Sequence, residues 1–119
     1  MRLSIVATEA GFEAVEYALI CGVAGEGQHL TFQRDAEDSG DDWGVHFEYG
    51  GQANGGYGCV AGCRLGRNFM AVDLARQLGD LSGVTGFDIT LDIDPQSLAS
   101  LRGGLQQVFR GQPDVLSLE

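Results

Sequence analysis

Polar and apolar positions alternate with a period of two along most of this chain, and that pattern predicts strands. Leu3, Ile5 and Ala7 alternate with Ser4 and Thr8. The stretch from Val15 to Val23 is apolar on both faces, with Tyr17, Leu19 and Cys21 on one and Ala18 and Ile20 on the other, as in a central strand. Leu30 and Phe32 alternate with Thr31 and Gln33, and Trp43, Val45, Phe47 and Tyr49 alternate with Gly44, His46 and Glu48. Tyr57, Cys59, Ala61, Cys63 and Leu65 share the next apolar face, and a tight hairpin at Gly66 and Arg67 leads back through Phe69 to Leu74. Phe87, Ile89, Leu91 and Ile93 form the last strand, with Asp88, Thr90, Asp92 and Asp94 on its wet face.

Two stretches break the alternation. The five glycines between Gly50 and Gly58, with Asn54, read as a loop. A short helical turn over Ala75 to Leu78, stopped by Gly79, is expected. After Asp94 the period changes. Leu98, Leu101, Leu105, Val108 and Phe109 form one helical stripe, with Asp94 as N-cap, Pro95 in the first turn and Gly111 and Pro113 beyond the end. Gly103 and Gly104 weaken this helix by about 1 kcal/mol each relative to Ala, so packing on the sheet must hold it. The expectation is a single α+β domain over residues 1–119: a largely antiparallel sheet of about seven strands with one C-terminal helix packed on it. Leu118 and Glu119 are set aside as a candidate cloning remnant.

Composition narrows the function. The chain carries 17 acidic residues against 7 arginines and no lysine, a net charge of −10. The arginines are scattered, which argues against nucleic acid as a partner, because neutralising phosphates requires clustered cations. Such acidity suits either a solvated surface or a basic partner. The longest apolar run, Tyr17 to Gly25, is too short to span a bilayer, and Glu9, Glu13 and Glu16 interrupt any leader-like segment. No membrane association and a cytoplasmic location are therefore expected. Cys21, Cys59 and Cys63 read as core thiols in a reducing compartment, since Cys59 and Cys63 would stand about 13 Å apart on a strand.

No catalytic constellation emerges, and no catalytic residue, cofactor or metal site is assigned. His46 and Glu48 share a strand face about 7 Å apart, an acid beside a base or simply a half-exposed face. Asp35, Glu37 and Ser39 start like a calcium loop with Gly40 at the sixth position, but His46 stands where the bidentate Glu belongs. Asp92 and Asp94, roughly 7 Å apart, have the spacing of an inverting carboxylate pair but lack aromatic sugar platforms.

One resemblance goes further. Leu30-Thr31-Phe32-Gln33-Arg34, an acidic loop closing at Asp41 and Asp42 before an aromatic strand, Gly56-Tyr57-Gly58-Cys59-Val60 leading through a hairpin into Phe69–Leu74, and Phe87 to Asp94 followed by the Leu98–Leu101–Leu105–Phe109 helix are similar in order and spacing to the immunity protein 10 family of bacterial polymorphic toxin systems. The resemblance covers roughly residues 28 to 111. It implies a small cytoplasmic protein that binds and neutralises a cognate toxin, a nuclease being one type whose basic surface an acidic inhibitor would cover. On that reading Asp35, Glu37, Asp38, Asp41 and Asp42 form an acidic rim. Trp43 and Tyr57 are the candidate anchors, the alternative for each being burial in the core. The rival readings are a homodimer or other structural module pairing its edge strands, and an enzyme built on Asp88, Asp92, His46 and Glu48.

Overall fold

The structure is a computed structural model and describes residues 1–36 and 44–119. In chain order its elements are β1 (Arg2–Ala7), β2 (Glu9–Val15), β3 (Ala18–Gly25), β4 (Gln28–Asp35), β5 (His46–Tyr49), β6 (Gly55–Tyr57), β7 (Val60–Leu65), β8 (Phe69–Leu74), β9 (Gly86–Leu91), α1 (Pro95–Val108) and β10 (Leu116–Leu118). The strands divide between two five-stranded sheets, ordered β1-β9-β8-β7-β10 and β2-β3-β4-β5-β6. The second is an antiparallel meander, while the first closes at both edges with a parallel pair.

The α+β class agrees with the periodicity, but among the described residues ten strands in two sheets replace about seven in one. The additional strands are β2, β6 and β10. The run from Val15 to Val23 is not one strand: the chain turns at Glu16 (φ 46°) and Tyr17, so Tyr17 sits on a hairpin tip at 76 % exposure. The glycine segment holds a single 3-10 turn at Gln52–Asn54 and then β6. The helical turn expected over Ala75 to Leu78 does not form; Leu78 instead bridges Leu81 and is fully buried. Ala61 is exposed rather than inward, because a bulge between Val60 and Gly62 shifts the register.

β1 and β2 are nearly continuous. The chain changes sheets at Thr8, whose N–H donates to the Ala24 carbonyl at 2.9 Å while the Ala7 carbonyl accepts from Asp92 at 2.8 Å. Gly25 makes this corner possible, since a Cβ there would lie 2.2 Å from the Val6 carbonyl oxygen. Such strands that switch sheets form the corners of two-sheet packings.

The core lies between the inner faces. Phe47 of β5 meets Phe87 of β9 at 5.7 Å between ring centroids, and Tyr49 meets Phe87 at 5.1 Å. The helix fills the other half of the meander's inner face, with Leu101, Leu105 and Val108 fully buried against β2 and β3. Phe109, just past its end, packs on Phe32 at 5.6 Å. Asp94 caps the helix as expected, accepting from the Ser97 N–H at 2.7 Å. Leu118 lies in β10 in register with Leu65 and packs against the core.

Candidate functional site

With Phe12, Cys21, Phe32 and Phe47 directed at the helix and the first sheet, the alternate positions of the meander point away from the core. Nothing in the described chain covers that outer face. The strand register sorts it into rows. Glu13, Ile20, Gln33, His46 and Tyr57 form one row across all five strands, and Gly11, Gly22, Thr31, Glu48 and Gly55 form the next. Glu9, Ala24 and His29 lie beyond the glycine row, while Val15, Ala18 and Asp35 close the opposite end.

The polar centre of this face is a side-chain cluster. His46 Nδ1 lies 3.5 Å from Glu48 Oε1, and the Tyr57 ring stands edge-on to the imidazole with centroids 4.8 Å apart. Together with Gln33 they line a shallow cavity of about 290 Å³. The missing side chains of Gly11 and Gly22 open two adjoining depressions of about 320 and 470 Å³ beside Glu9, His29 and Thr31 and beside Glu13 and Ile20. Val15, Tyr17 and Tyr57 are 40 %, 76 % and 44 % exposed on or beside the same face.

Two of the residues singled out by sequence, Asp35 and Tyr57, lie at separate places on this face. Asp35 is exposed at the outward end of β4, its carbonyl accepting from Arg110 Nη2 at 2.9 Å. Tyr57 is held through its carbonyl by Arg76 Nη2, with Cys59 Sγ also donating to that oxygen at 3.7 Å. The apolar alternation placed Tyr57 on the face of Cys59. Gly58 (φ 66°) turns the chain between them, so Cys59 enters the core and Tyr57 does not. Glu37, Asp38, Asp41, Asp42 and Trp43 lie outside the described residues.

The outer face carries carboxylates but no arginine at its strand positions. Arg2 lies over the outer face of the other sheet, bonded to Asp73 at 2.6 Å and to Asp88 at 3.0 Å, and Asp88 is the main reason its pKa is raised. Arg34 reaches the end of the helix, where its Nη1 donates to the carbonyls of Val108 at 3.1 Å and Arg110 at 2.6 Å.

The structure does not bring together the residues considered from sequence for a carboxylate enzyme. The inner faces of the two sheets meet at Phe47 and Phe87, so His46 and Glu48 point one way and Asp88 the other. Among the described residues no group of three or more His, Cys, Asp or Glu is placed to hold a metal ion. Burial pushes the Cys21 and Cys63 thiols up to about 12, which makes them poor nucleophiles. No helix among the described residues is long and apolar enough to cross a membrane.

The arrangement offers a broad, partly apolar, acidic surface. Comparison of the chain with protein-family models, with curated proteins and with solved structures returns no match.

Proposed function

We propose that this chain is an immunity protein, which binds a basic bacterial toxin and neutralises it by covering its working surface. The observation that carries this reading is the charge imbalance: a net −10 with no lysine, and a sheet face, covered by none of the described residues, whose strand positions hold Glu9, Glu13, Asp35 and Glu48 without an arginine. A nuclease is the toxin type that fits best, because a phosphate-binding surface must be basic. Complementary charge speeds encounter and rejects wrong partners, which is what an inhibitor of one toxin needs. The resemblance to the immunity protein 10 family points the same way. Inhibition of this kind requires no catalytic group, and three buried free thiols suit a cytoplasmic setting.

Self-association through the β2 edge is the weaker reading. That edge carries Glu9, Glu13 and Glu16, and a second copy would bring like charges together.

Co-expression with the toxin-like product of the neighbouring gene tests the proposal by host survival. Survival only when this chain is present supports it. A neighbour that is harmless alone, or one that kills regardless, refutes it.

A further inference from the structure

We infer that the glycine row on the outer face of the meander is the seat for an arginine-bearing segment of the partner. This inference deepens the inhibitor reading and rests on it for the partner's basic character.

Gly11 and Gly22 form a furrow floored by backbone, closed at one end by the small Thr31 side chain, with taller side chains on both sides. Glu9 and His29 flank it on one side. Glu13, Ile20, Gln33, His46 and Tyr57 flank it on the other, and Glu48 stands at its β5 end. The two depressions share Gly11 and Gly22 in their walls. A chain laid in this furrow would approach the sheet closely, because Gly11 and Gly22 bring no side chain to hold it off.

The flanking groups select the occupant. Carboxylates at Glu9, Glu13 and Glu48 offer acceptors to guanidinium forks, for which paired N–H donors are the natural complement. The half-exposed Tyr57 ring adds an aromatic surface on which a guanidinium can stack. Apolar contact comes from Ile20 and from the exposed Val15 and Tyr17 at the β2–β3 end. Acidic or neutral segments would leave the exposed carboxylates of Glu9 and Glu13 without a cationic partner. A second copy of this chain would bring further acid to the face.

Gly11 provides a clean perturbation. A Cβ built on it has nothing within 4 Å, and the same holds for Gly103 on the helix, so both accept a side chain without a clash. Gly11→Arg fills the furrow and reverses its charge locally. Gly103→Arg makes the same charge change elsewhere and serves as the control.

The probe is a nine-residue polyarginine peptide, titrated into isotope-labelled protein at about 0.15 M salt, where long-range attraction is screened to about 8 Å. Amide shifts are expected to be largest at Gly11, Gly22, Thr31, His46 and Tyr57. Gly11→Arg should weaken binding on the order of tenfold, and Gly103→Arg should leave it nearly unchanged. Shifts centred on Asp73, Asp80 or Asp92, or equal effects of the two variants, would overturn the assignment. The failures separate: a neutralised toxin with shifts elsewhere discards this seat and keeps the function, whereas shifts here with no toxin neutralised keep the seat and discard the function.

Discussion

Gly104 of the helix sits directly beneath Phe12 of β2: a Cβ at position 104 would lie 2.7 Å from Phe12 Cδ1 and 2.8 Å from Phe12 Cβ. This contact explains a helix that carries two adjacent glycines. Gly103 and Gly104 cost helix propensity, and at position 104 the closeness of helix to sheet offsets that cost. The two positions should therefore respond oppositely to alanine. Gly104→Ala should destabilise by about 1–2 kcal/mol through overpacking. Gly103→Ala, whose Cβ meets open space, should stabilise by about 0.5–1 kcal/mol. Chemical denaturation of both variants reads the sign directly.

The helix C-terminus is closed by a strand residue. Arg34 donates to the Val108 and Arg110 carbonyls, which a helix end otherwise leaves to solvent. Arg34→Met keeps the stem and removes the donors. A loss of about 1–3 kcal/mol is expected, the cost of leaving part-buried carbonyls unanswered. Equal stability in urea would show that solvent takes over these bonds.

At the other end of the helix, the Ser97 amide holds the Asp94 carboxyl below its ordinary value. A depressed carboxylate stabilises the fold above its unfolded pKa and loses that contribution as pH falls through the folded pKa. Asp94→Ala should therefore melt below wild type at neutral pH, with the gap closing below about pH 4. A gap that is constant down to pH 2 would mean that the cap acts without its charge.

Cys21, Cys59 and Cys63 are all at or below 2 % exposure, and two of them have thiols raised to about 12. In the native state these two should resist a thiol reagent at pH 8 and react only on unfolding. Fast labelling of Cys21 or Cys63 without denaturant would contradict the packing between helix, meander and first sheet.

The parts of the fold visible in the sequence are those where side chains alternate strongly. β9 shows it through Phe87–Leu91, and the helix shows its own period through the leucine stripe and the Asp94–Pro95 start, while β8, apolar at nearly every position, is legible from the hairpin that leads into it. β2 was hidden because only Phe12 is large among its inward residues Ala10, Phe12 and Ala14. β6 was hidden because Gly55 and Gly56 carry no pattern at all. The candidate surface was half legible. Asp35, Tyr57 and the His46–Glu48 pair stood out by chemistry. The glycine furrow, with Glu9 and Glu13 beside it, did not, because it exists only once distant strands pair in register. Residues such as Gly11 and Thr31 are twenty positions apart and carry no signal of their own.

The central claim is that an acidic sheet face captures a basic toxin, and the association rate of the purified pair against salt tests it most directly. The rate should fall steeply between about 0.05 and 0.5 M salt as the Debye length shrinks. It should also fall at low salt when Glu9, Glu13 and Glu48 are changed together to Gln. A rate indifferent to both salt and these substitutions would contradict the claim and return the acidity of this face to a role in solubility alone.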